Sequence, residues 1–554
     1  MITGRLITGG REDPLLPHLI EHLSSASSVD IATAFAFSRG VGLIERHLED
    51  LLKRGGQARI LVGDYLSATE PDALIRLLDL ADGERRIEFK IFQSGGTSFH
   101  PKAYIFSGPE ERISAFVGSS NLSEMALTKG VEWNYLISRE TPGPHLAKIV
   151  DAFQHLWEHE QTHPLDHDWI DEYAKTREPP SPKHSGIVPE HEAPITPNSL
   201  QKQALQALKE TRSNGFTAGL VVLPTGSGKT WLSALDTNRP EYPRILFVAH
   251  REEILNQSRD TFRKIRPSAN LGLYTGKERN PGADVIFASI QTLKNKPRRE
   301  RFDAREFDYI VIDEFHHAAA KSYRKVLDYF EPKFLLGLTA TPDRTDRQDL
   351  LALCDNNLIY SADLNDGIRE GVLCPFEYFG VPDIVNYDNI PWRNNKWPTE
   401  ELTNHVATVA RAENAYEQLK KYAKEGYRAL AFCVSQRHAD FMANFFQQRG
   451  LRSVSVHAGE SSAPRTRSVE QLKNGEIDVL CSVDIFNEGV DLPNLDTILM
   501  LRPTESRILW LQQFGRGLRV HKDKKLSVID YIGNHRNFLK ITQVLLNLGQ
   551  AHGD

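Results

Sequence analysis

Cysteine is scarce in this chain: Cys354, Cys374, Cys433 and Cys481 are the only four in 554 residues. They lie far apart with no CxxC pair, so they read as reduced core residues rather than as a disulfide framework or a zinc site. Long apolar runs are missing too. No stretch approaches the roughly 20 residues that cross a bilayer, and the opening MITGRLITGGREDP lacks the apolar core of a secretory signal. A cytoplasmic protein with no membrane partner is expected. There is no low-complexity tract and no long block of one charge. Nor is positive charge in excess, since 67 Lys and Arg stand against 73 Asp and Glu for a net charge of -6. That balance leaves nucleic acid open as a partner, because binding needs a local basic face and not a basic sum.

What is present is ordinary globular composition, 40% apolar and 25% charged, over a length that suits about three or four domains. One boundary stands out. REPPSPKHSGIVPEHEAPITP carries six prolines, Pro179 to Pro197, and cannot sustain a helix or an inner strand. Residues 171–198 are therefore expected to be an extended linker. Before it, SSVDIATAFA and ARILVGDYL read as buried strands, while GVGLIERHLEDLLKR and LAKIVDAFQHLWEHEQ have helical apolar spacing. A mixed α/β domain over 1–170 is predicted. After the linker come short continuous apolar runs: AGLVVLP, RILFVAH, DVIFAS, DYIVID and FLLGLTA, then RALAFCV, SVSVHA, DVLCSV, DTILML and LSVIDYI. Such runs suit parallel sheets covered on both faces, so two similar α/β lobes are predicted, over 199–372 and 373–554.

LPTGSGKT, Leu223 to Thr230, follows an apolar strand and precedes a helical stretch, the context a P-loop needs. Backbone N–H groups there wrap phosphate, and the helix N-terminus adds partial positive charge. Thr225, Gly226, Ser227 and Gly228 would form the cradle. Lys229 would meet the β- and γ-phosphates of ATP, and Thr230 would ligate Mg²⁺. FDYIVIDEFHH ends a buried strand in two carboxylates, Asp313 and Glu314. One can hold the metal through water and the other can orient the attacking water. LTATP ends the next strand. QQFGRGLR offers Arg516 and Arg519, spaced to share a helix face and suited to the charge of a transferring phosphoryl group.

The ordered set resembles a superfamily 2 helicase of the DExH type. DEFHH resembles motif II, with Asp313, Glu314 and His316 in the D-E-x-H positions. VDIFNEGVDLP resembles motif V, with Gly489 and Asp491 facing nucleotide, and QQFGRGLR resembles motif VI, with Gln512, Arg516 and Arg519. SLQKQAL is similar to the segment whose glutamine, here Gln201, reads adenine. FVAHREEIL and ASIQTL look like segments that touch nucleic-acid backbone. The resemblance covers about residues 195–545. It implies two RecA-like lobes that close on ATP, with Asp313 on Mg²⁺ and Glu314 on the attacking water, and that move along nucleic acid.

In the first domain, SFHPKAYIF at 98–106 has the alternation of a strand, placing His100, Lys102 and Tyr104 on one face. FVGSSNLSEMAL then supplies Ser119 and Asn121, and KGVEWNYLI supplies Glu132. An imidazole can attack phosphorus, an ammonium and an amide can neutralise its oxygens, and nothing in this set needs a metal. HxK, GSxN and a trailing Glu resemble the phospholipase D superfamily, in particular its endonuclease branch, over about residues 1–165. The resemblance implies His100 as a nucleophile forming a phosphohistidine. Lys102 and Asn121 would grip the phosphate, Ser119 would support them, and Glu132 would orient an imidazole. The aspartate of the pattern falls on Ser107. Such a centre needs two histidines, and no second HxK with a trailing GSxN occurs, so a homodimer through this domain is expected. HLWEH (His155, Glu158, His159) matches a zinc-peptidase spacing but reads as an exposed helix face.

The combined expectation is an α/β chain in which an ATP-driven motor on nucleic acid, taken as double-stranded DNA, is fused to a metal-independent nuclease acting in restriction or phage defence. The architecture resembles modification-dependent restriction enzymes without their C-terminal reader domain, so a separate target-recognition or defence-system protein is expected. The alternative is a non-cutting repair motor whose first domain dimerises or docks partners.

Overall fold

The computed structural model describes residues 3–81, 84–95, 97–108, 112–139, 144–177, 195–276, 280–318, 320–340, 347–387, 390, 397–483, 492, 494–503, 507–521 and 523–532. The chain divides into two compact units, residues 1–194 and 195–554.

The first unit is built on an eight-stranded sheet: β1 (Thr3–Ile7), β2 (Ser28–Thr33), β3 (Gln57–Gly63), β4 (Ile87–Phe92), β5 (Lys102–Ser107), β6 (Ile113–Gly118), β7 (Asn134–Arg139) and β8 (Thr162–Pro164). Their order is β1-β7-β6-β5-β2-β3-β4-β8. β2, β3 and β4 run parallel and the other pairs antiparallel, so the sheet is mixed. Alternation along each strand feeds two cores. Tyr104 and Phe106 face the helices Leu15–Ser25, Ser38–Lys53, Pro71–Ala81 and His167–Thr176, while Ile105 faces Leu146, Phe153 and Trp157 of the helix Pro144–Trp157.

Two details correct the reading from sequence. The strand expected over 98–106 begins only at Lys102, because Pro101 has no N–H for the ladder. His100 therefore stands in the approach to β5 and not on its face. The helix His167–Thr176 also crosses the expected boundary at residue 170 and buries Ile170 and Tyr173 in the first core. The prolines from Pro179 to Pro194 lie outside the described residues.

The second unit holds two parallel sheets among the described residues. One comprises β9 (Ala218–Val222), β10 (Ile245–Ala249), β11 (Leu271–Tyr274), β12 (Val285–Ser289), β13 (Tyr309–Ile312), β14 (Phe334–Thr339) and β15 (Leu358–Ser361), in the order β11-β12-β10-β13-β14-β9-β15. The other comprises β16 (Phe376–Pro382), β17 (Ala429–Phe432), β18 (Ser453–Val456), β19 (Val479–Ser482), β20 (Thr497–Met500) and β21 (Leu526–Ile532), in the order β16-β21-β20-β17-β19-β18. Every residue of β9, β10, β12 and β13 is buried, as befits strands covered on both faces. All four cysteines are buried and unpaired; burial pushes the Cys354 thiol up to about 12 and raises Cys374 and Cys481. Among the described residues no helix is long and apolar enough to cross a membrane.

One close approach sets the first unit's loop geometry. A Cβ on Gly40, in the helix Ser38–Lys53, would overlap the Leu122 carbonyl. The same segment bonds the loop after β6 through Phe37 N to Leu122 O (2.9 Å) and Leu122 N to Phe35 O (3.3 Å). Gly40→Val should destabilise this unit by about 1–3 kcal/mol through overpacking. Thermal unfolding of the full chain followed by circular dichroism checks this, and an unchanged first transition refutes it.

Candidate active sites

The nucleotide cradle follows β9. Leu223, standing where the strict P-loop pattern has glycine, is buried in the core, and its N–H donates to Thr339 O at 3.0 Å. The loop turns through Gly226 (φ 92°) and Gly228 (φ 88°) into the helix Lys229–Thr237. Ser227 Oγ donates to Pro224 O at 2.7 Å and braces the loop from inside. Gln201 is bound to this loop: its Nε2 donates to Ser227 O (3.3 Å) and Gly228 O (3.0 Å), and its Oε1 accepts from Asn198 N (2.9 Å).

Asp313 and Glu314 leave the end of β13 beside the cradle, with Asp313 Oδ1 accepting from Glu314 N at 3.0 Å. Glu314 holds φ 51° and ψ 52°, a left-handed conformation costly for a residue with a side chain. Burial alone would raise its pKa. His316, 3.3 Å from its Oε2, and the Lys229 charge outweigh that and hold it at about 2, so it is ionised throughout the neutral range. His316 also lies 3.3 Å from Thr339 Oγ1. Burial, then His316 and His250, push His317 down to about 4. From the second sheet's side, Gln512 Nε2 donates to Glu314 Oε1 at 3.5 Å.

Arg516 and Arg519 were expected to share one helix face. The helix Arg507–Phe514 ends before them; Arg516 stands in the following turn, and Arg519 pairs with Leu373 in a β-bridge. Gly515 and Gly517 disfavour continuation of the helix. Gly489 and Asp491 lie outside the described residues, as does Thr341 of LTATP. The cradle's backbone donors, Thr230 at the helix start and Asp313 at the strand end suit a magnesium-bound nucleoside triphosphate in donor type.

In the first unit, β6 and β7 pair with Gly118 opposite Asn134, which brings the residues flanking both strands together. Ser119 Oγ donates to Glu132 Oε2 and accepts from Trp133 N at 3.1 Å. Asn134, 1% exposed, donates through Nδ2 to Ser120 Oγ at 2.8 Å and latches the GSSN loop. Asn121 Oδ1 accepts from Phe35 N (3.2 Å) and Thr33 Oγ1 (3.4 Å), which leaves its NH₂ as the group available to a ligand. Lys102 is buried at the start of β5, and its Nζ lies 2.7 Å from His100 Nδ1 and 3.0 Å from His100 O. Burial lowers its pKa to about 8, against a partly compensating pull from Glu132. Burial and Lys102 lower that of His100.

Glu132 was assigned to orient an imidazole. Within one chain its carboxylate is engaged by Ser119 instead. Ser107 ends β5 five residues beyond Lys102, about 17 Å away at strand rise, and takes no part. Two aromatic rings unassigned from sequence flank His100: Phe35 edge-on at 5.4 Å and Tyr65 edge-on at 6.4 Å. Tyr65 leads into Leu66 (φ 57°) and Ser67 (φ 52°). Arg177 holds that turn by donating to Ser67 O (2.8 Å) and Ala68 O (3.3 Å). His155 and His159 of HLWEH have rings 6.0 Å apart, and His159 packs on Phe92; no metal-binding group of three His, Cys, Asp or Glu occurs among the described residues.

Residues 19–157 match the family described as cardiolipin synthase, PLD-like domain; 194–344 match type III restriction enzyme, res subunit; and 413–521 match helicase conserved C-terminal domain. A phospholipase-D-like domain is joined here to a superfamily 2 helicase. A Saccharomyces cerevisiae protein named as the ATP-dependent helicase IRC3 is 31% identical over 62% of this chain and 52% of its own length. The type I restriction enzyme EcoAI endonuclease subunit of Escherichia coli is 23% identical over 59% of this chain and 44% of its own length. The chain thus spans about half the length of these curated relatives. The solved structure of the type ISP restriction-modification enzyme LlaBIII bound to DNA matches 66% of this chain and 30% of its own, at a TM-score of 0.50 and 16% identity, a likeness of fold. The two parallel sheets are RecA-like lobes in fold.

Lys102 should lose its proton near pH 8, well below an ordinary lysine at about 10.4. Acylation of the intact chain at graded pH, read residue by residue by mass spectrometry, should show Lys102 reacting with a midpoint near 8. A midpoint in the exposed-lysine range would refute the burial argument.

Proposed function

We propose that this chain is an ATP-driven translocase on double-stranded DNA that carries its own metal-independent phosphodiesterase, acting in the cytoplasm in restriction or phage defence. The observation that carries the nuclease reading is the buried Lys102 ammonium 2.7 Å from His100 Nδ1, with Ser119, Asn121 and Glu132 on neighbouring strand ends. In the free chain that contact makes Nδ1 the acceptor and leaves the neutral ring's proton on Nε2, an idle tautomer. An arriving phosphodiester draws Lys102 and the Asn121 amide to its oxygens. Nδ1 then carries the proton towards a carboxylate, and the Nε2 lone pair attacks phosphorus. The P–O bond to one nucleoside oxygen breaks, and a second imidazole protonates that oxygen. The same imidazole then takes a proton from water, whose oxygen displaces Nε2 from phosphorus.

That second imidazole, and a Glu132 to orient the first once it exchanges its Ser119 bond, come from another copy of the chain in an isologous dimer. An apolar stripe beside the site supports this. Leu6, Tyr135 and Val117 are cross-strand neighbours on β1, β7 and β6, all exposed, and continue into Trp133 (64% exposed) and Val131 (81% exposed). Exposed apolar stripes of this kind mark interfaces.

In the helicase unit, Thr230 and Asp313 would hold Mg²⁺, Glu314 would orient the attacking water, and Arg516 and Arg519 would stabilise the phosphoryl charge. Gln201, His316, Gln512, Gly489 and Asp491 complete the nucleotide site. Magnesium supplies charge neutralisation at the phosphates when bound. The engagement of Glu132 by Ser119 favours a second reading, a non-cutting motor whose first domain only dimerises.

Plasmid incubated in EDTA without ATP, then with Mg-ATP, separates the two. Metal-free nicking lost in His100→Ala but kept in Lys229→Ala, with ATP hydrolysis lost only in the latter, supports the fused nuclease. ATP hydrolysis with no cutting under either condition sinks the nuclease and leaves the motor.

A further inference from the structure

Strand β21 alternates between two cores. Leu526 and Val528 pack with Trp510 and Phe514, whereas Ile529 and Tyr531 face the opposite core. Alternation puts Asp530 on the first face, where an apolar residue belongs. It is 7% exposed. Its Oδ2 accepts from the Trp510 indole Nε1 at 2.9 Å and from the Tyr378 hydroxyl at 2.9 Å. Its cross-strand neighbours are Gly380 and Met500. Among the described residues burial, Trp510 and Tyr378 set its environment, and no cation acts on it. A carboxylate buried against neutral donors alone is costlier than an apolar residue of that size, so packing does not account for it.

Its anchor has a second end. Trp510 lies in the helix Arg507–Phe514 and stacks on Phe514 at 4.9 Å, and Phe514 meets Phe376 edge-on. Two residues beyond Trp510, Gln512 reaches Glu314 across the cleft at 3.5 Å. At the helix end the Gly515 backbone lies so near the P-loop that a Cβ there would overlap the Thr225 side chain. One flank of this helix is thus tied to β21, and the other meets the nucleotide residues of the first lobe.

We propose that Asp530 is a positioning residue for ATP hydrolysis: by holding the Trp510 indole it fixes the rotation of the helix Arg507–Phe514, and with it the setting of Gln512 and the Gly515–Arg516 turn against the P-loop. Above its pKa, which burial raises to about 6, the carboxylate grips both donors. Protonation weakens that grip. The fold raises this pKa above its unfolded value, so the folded chain is the better proton binder here. Acidification through pH 6 therefore relieves a destabilising burial and does not unfold the chain through this group. Activity and stability should part company along the acid limb.

The test is Mg-ATP hydrolysis by the full chain with plasmid DNA, as kcat and KM over about pH 5 to 8.5, alongside thermal melting at each pH. For the wild type, kcat is expected to fall near pH 6 without a matching loss of melting temperature. Asp530→Asn should lower kcat about tenfold at neutral pH, leave KM for ATP within about twofold, and abolish the limb at pH 6. Trp510→Phe should reproduce the kcat loss, and the double variant should be no worse than either single one. Asp530→Leu guards against misfolding: its melting temperature should hold or rise while kcat falls. A wild-type limb absent near pH 6, or Asp530→Asn with wild-type kcat and limb, overturns the proposal. So does a kcat loss that only tracks melting.

Discussion

The second unit depends on one carboxylate kept ionised in a dry place. Glu314 is buried and sits in a strained left-handed conformation, and burial alone would raise its pKa. His316 and the P-loop Lys229 hold it charged, and Gln512 reaches it from the other lobe. Strain and desolvation are tolerated where the surroundings over-determine a residue. Here strand β13, the P-loop and the helix Arg507–Phe514 converge on a single oxygen pair. The packing of both parallel sheets can be read as support for that convergence. Buried apolar strands bring rigid ends to the cleft, and the glycine turns let the loops close on it.

The first unit solves a related problem with opposite charges. A buried ammonium would be expelled or neutralised unless something nearby keeps it. Lys102 falls only part of the way, because Glu132 lies close enough to resist. Burial and the nearby Lys102 charge together lower the pKa of the His100 imidazole. Phe35 and Tyr65 wall that ring, and the strained turn at Leu66–Ser67 is pinned by Arg177 from the end of the last helix. A site assembled from the ends of β5 and β6 and the entry to β7 is as rigid as the sheet itself.

Much of this was legible because P-loop chemistry demands neighbours in sequence. LPTGSGKT and DEFHH carry their own context, and continuous runs such as RILFV and YIVI declare parallel strands. Legibility failed where partners come from afar. Gln512 and Glu314 are 198 residues apart, and no local pattern announces Tyr65 beside His100. Strand β16 escaped notice because it is a half-exposed edge containing Gly380 and Pro382, so neither apolar continuity nor alternation marks it. Residue spacing alone extends the helix carrying Gln512 to Arg519, but Gly515 and Gly517 follow its end at Phe514. His100 falls outside β5 because Pro101 delays the strand to Lys102, four residues past its expected start at 98.

The buried thiols have a practical corollary. Cys354, Cys374, Cys433 and Cys481 are all shut away from solvent, and three of them hold their protons more tightly than a free thiol. Maleimide dyes react with exposed thiolate, so the folded chain is close to silent towards them. One cysteine introduced on the surface of each lobe would then give two bright handles, and paired fluorophores could follow cleft closure in a molecule whose native cysteines were left in place.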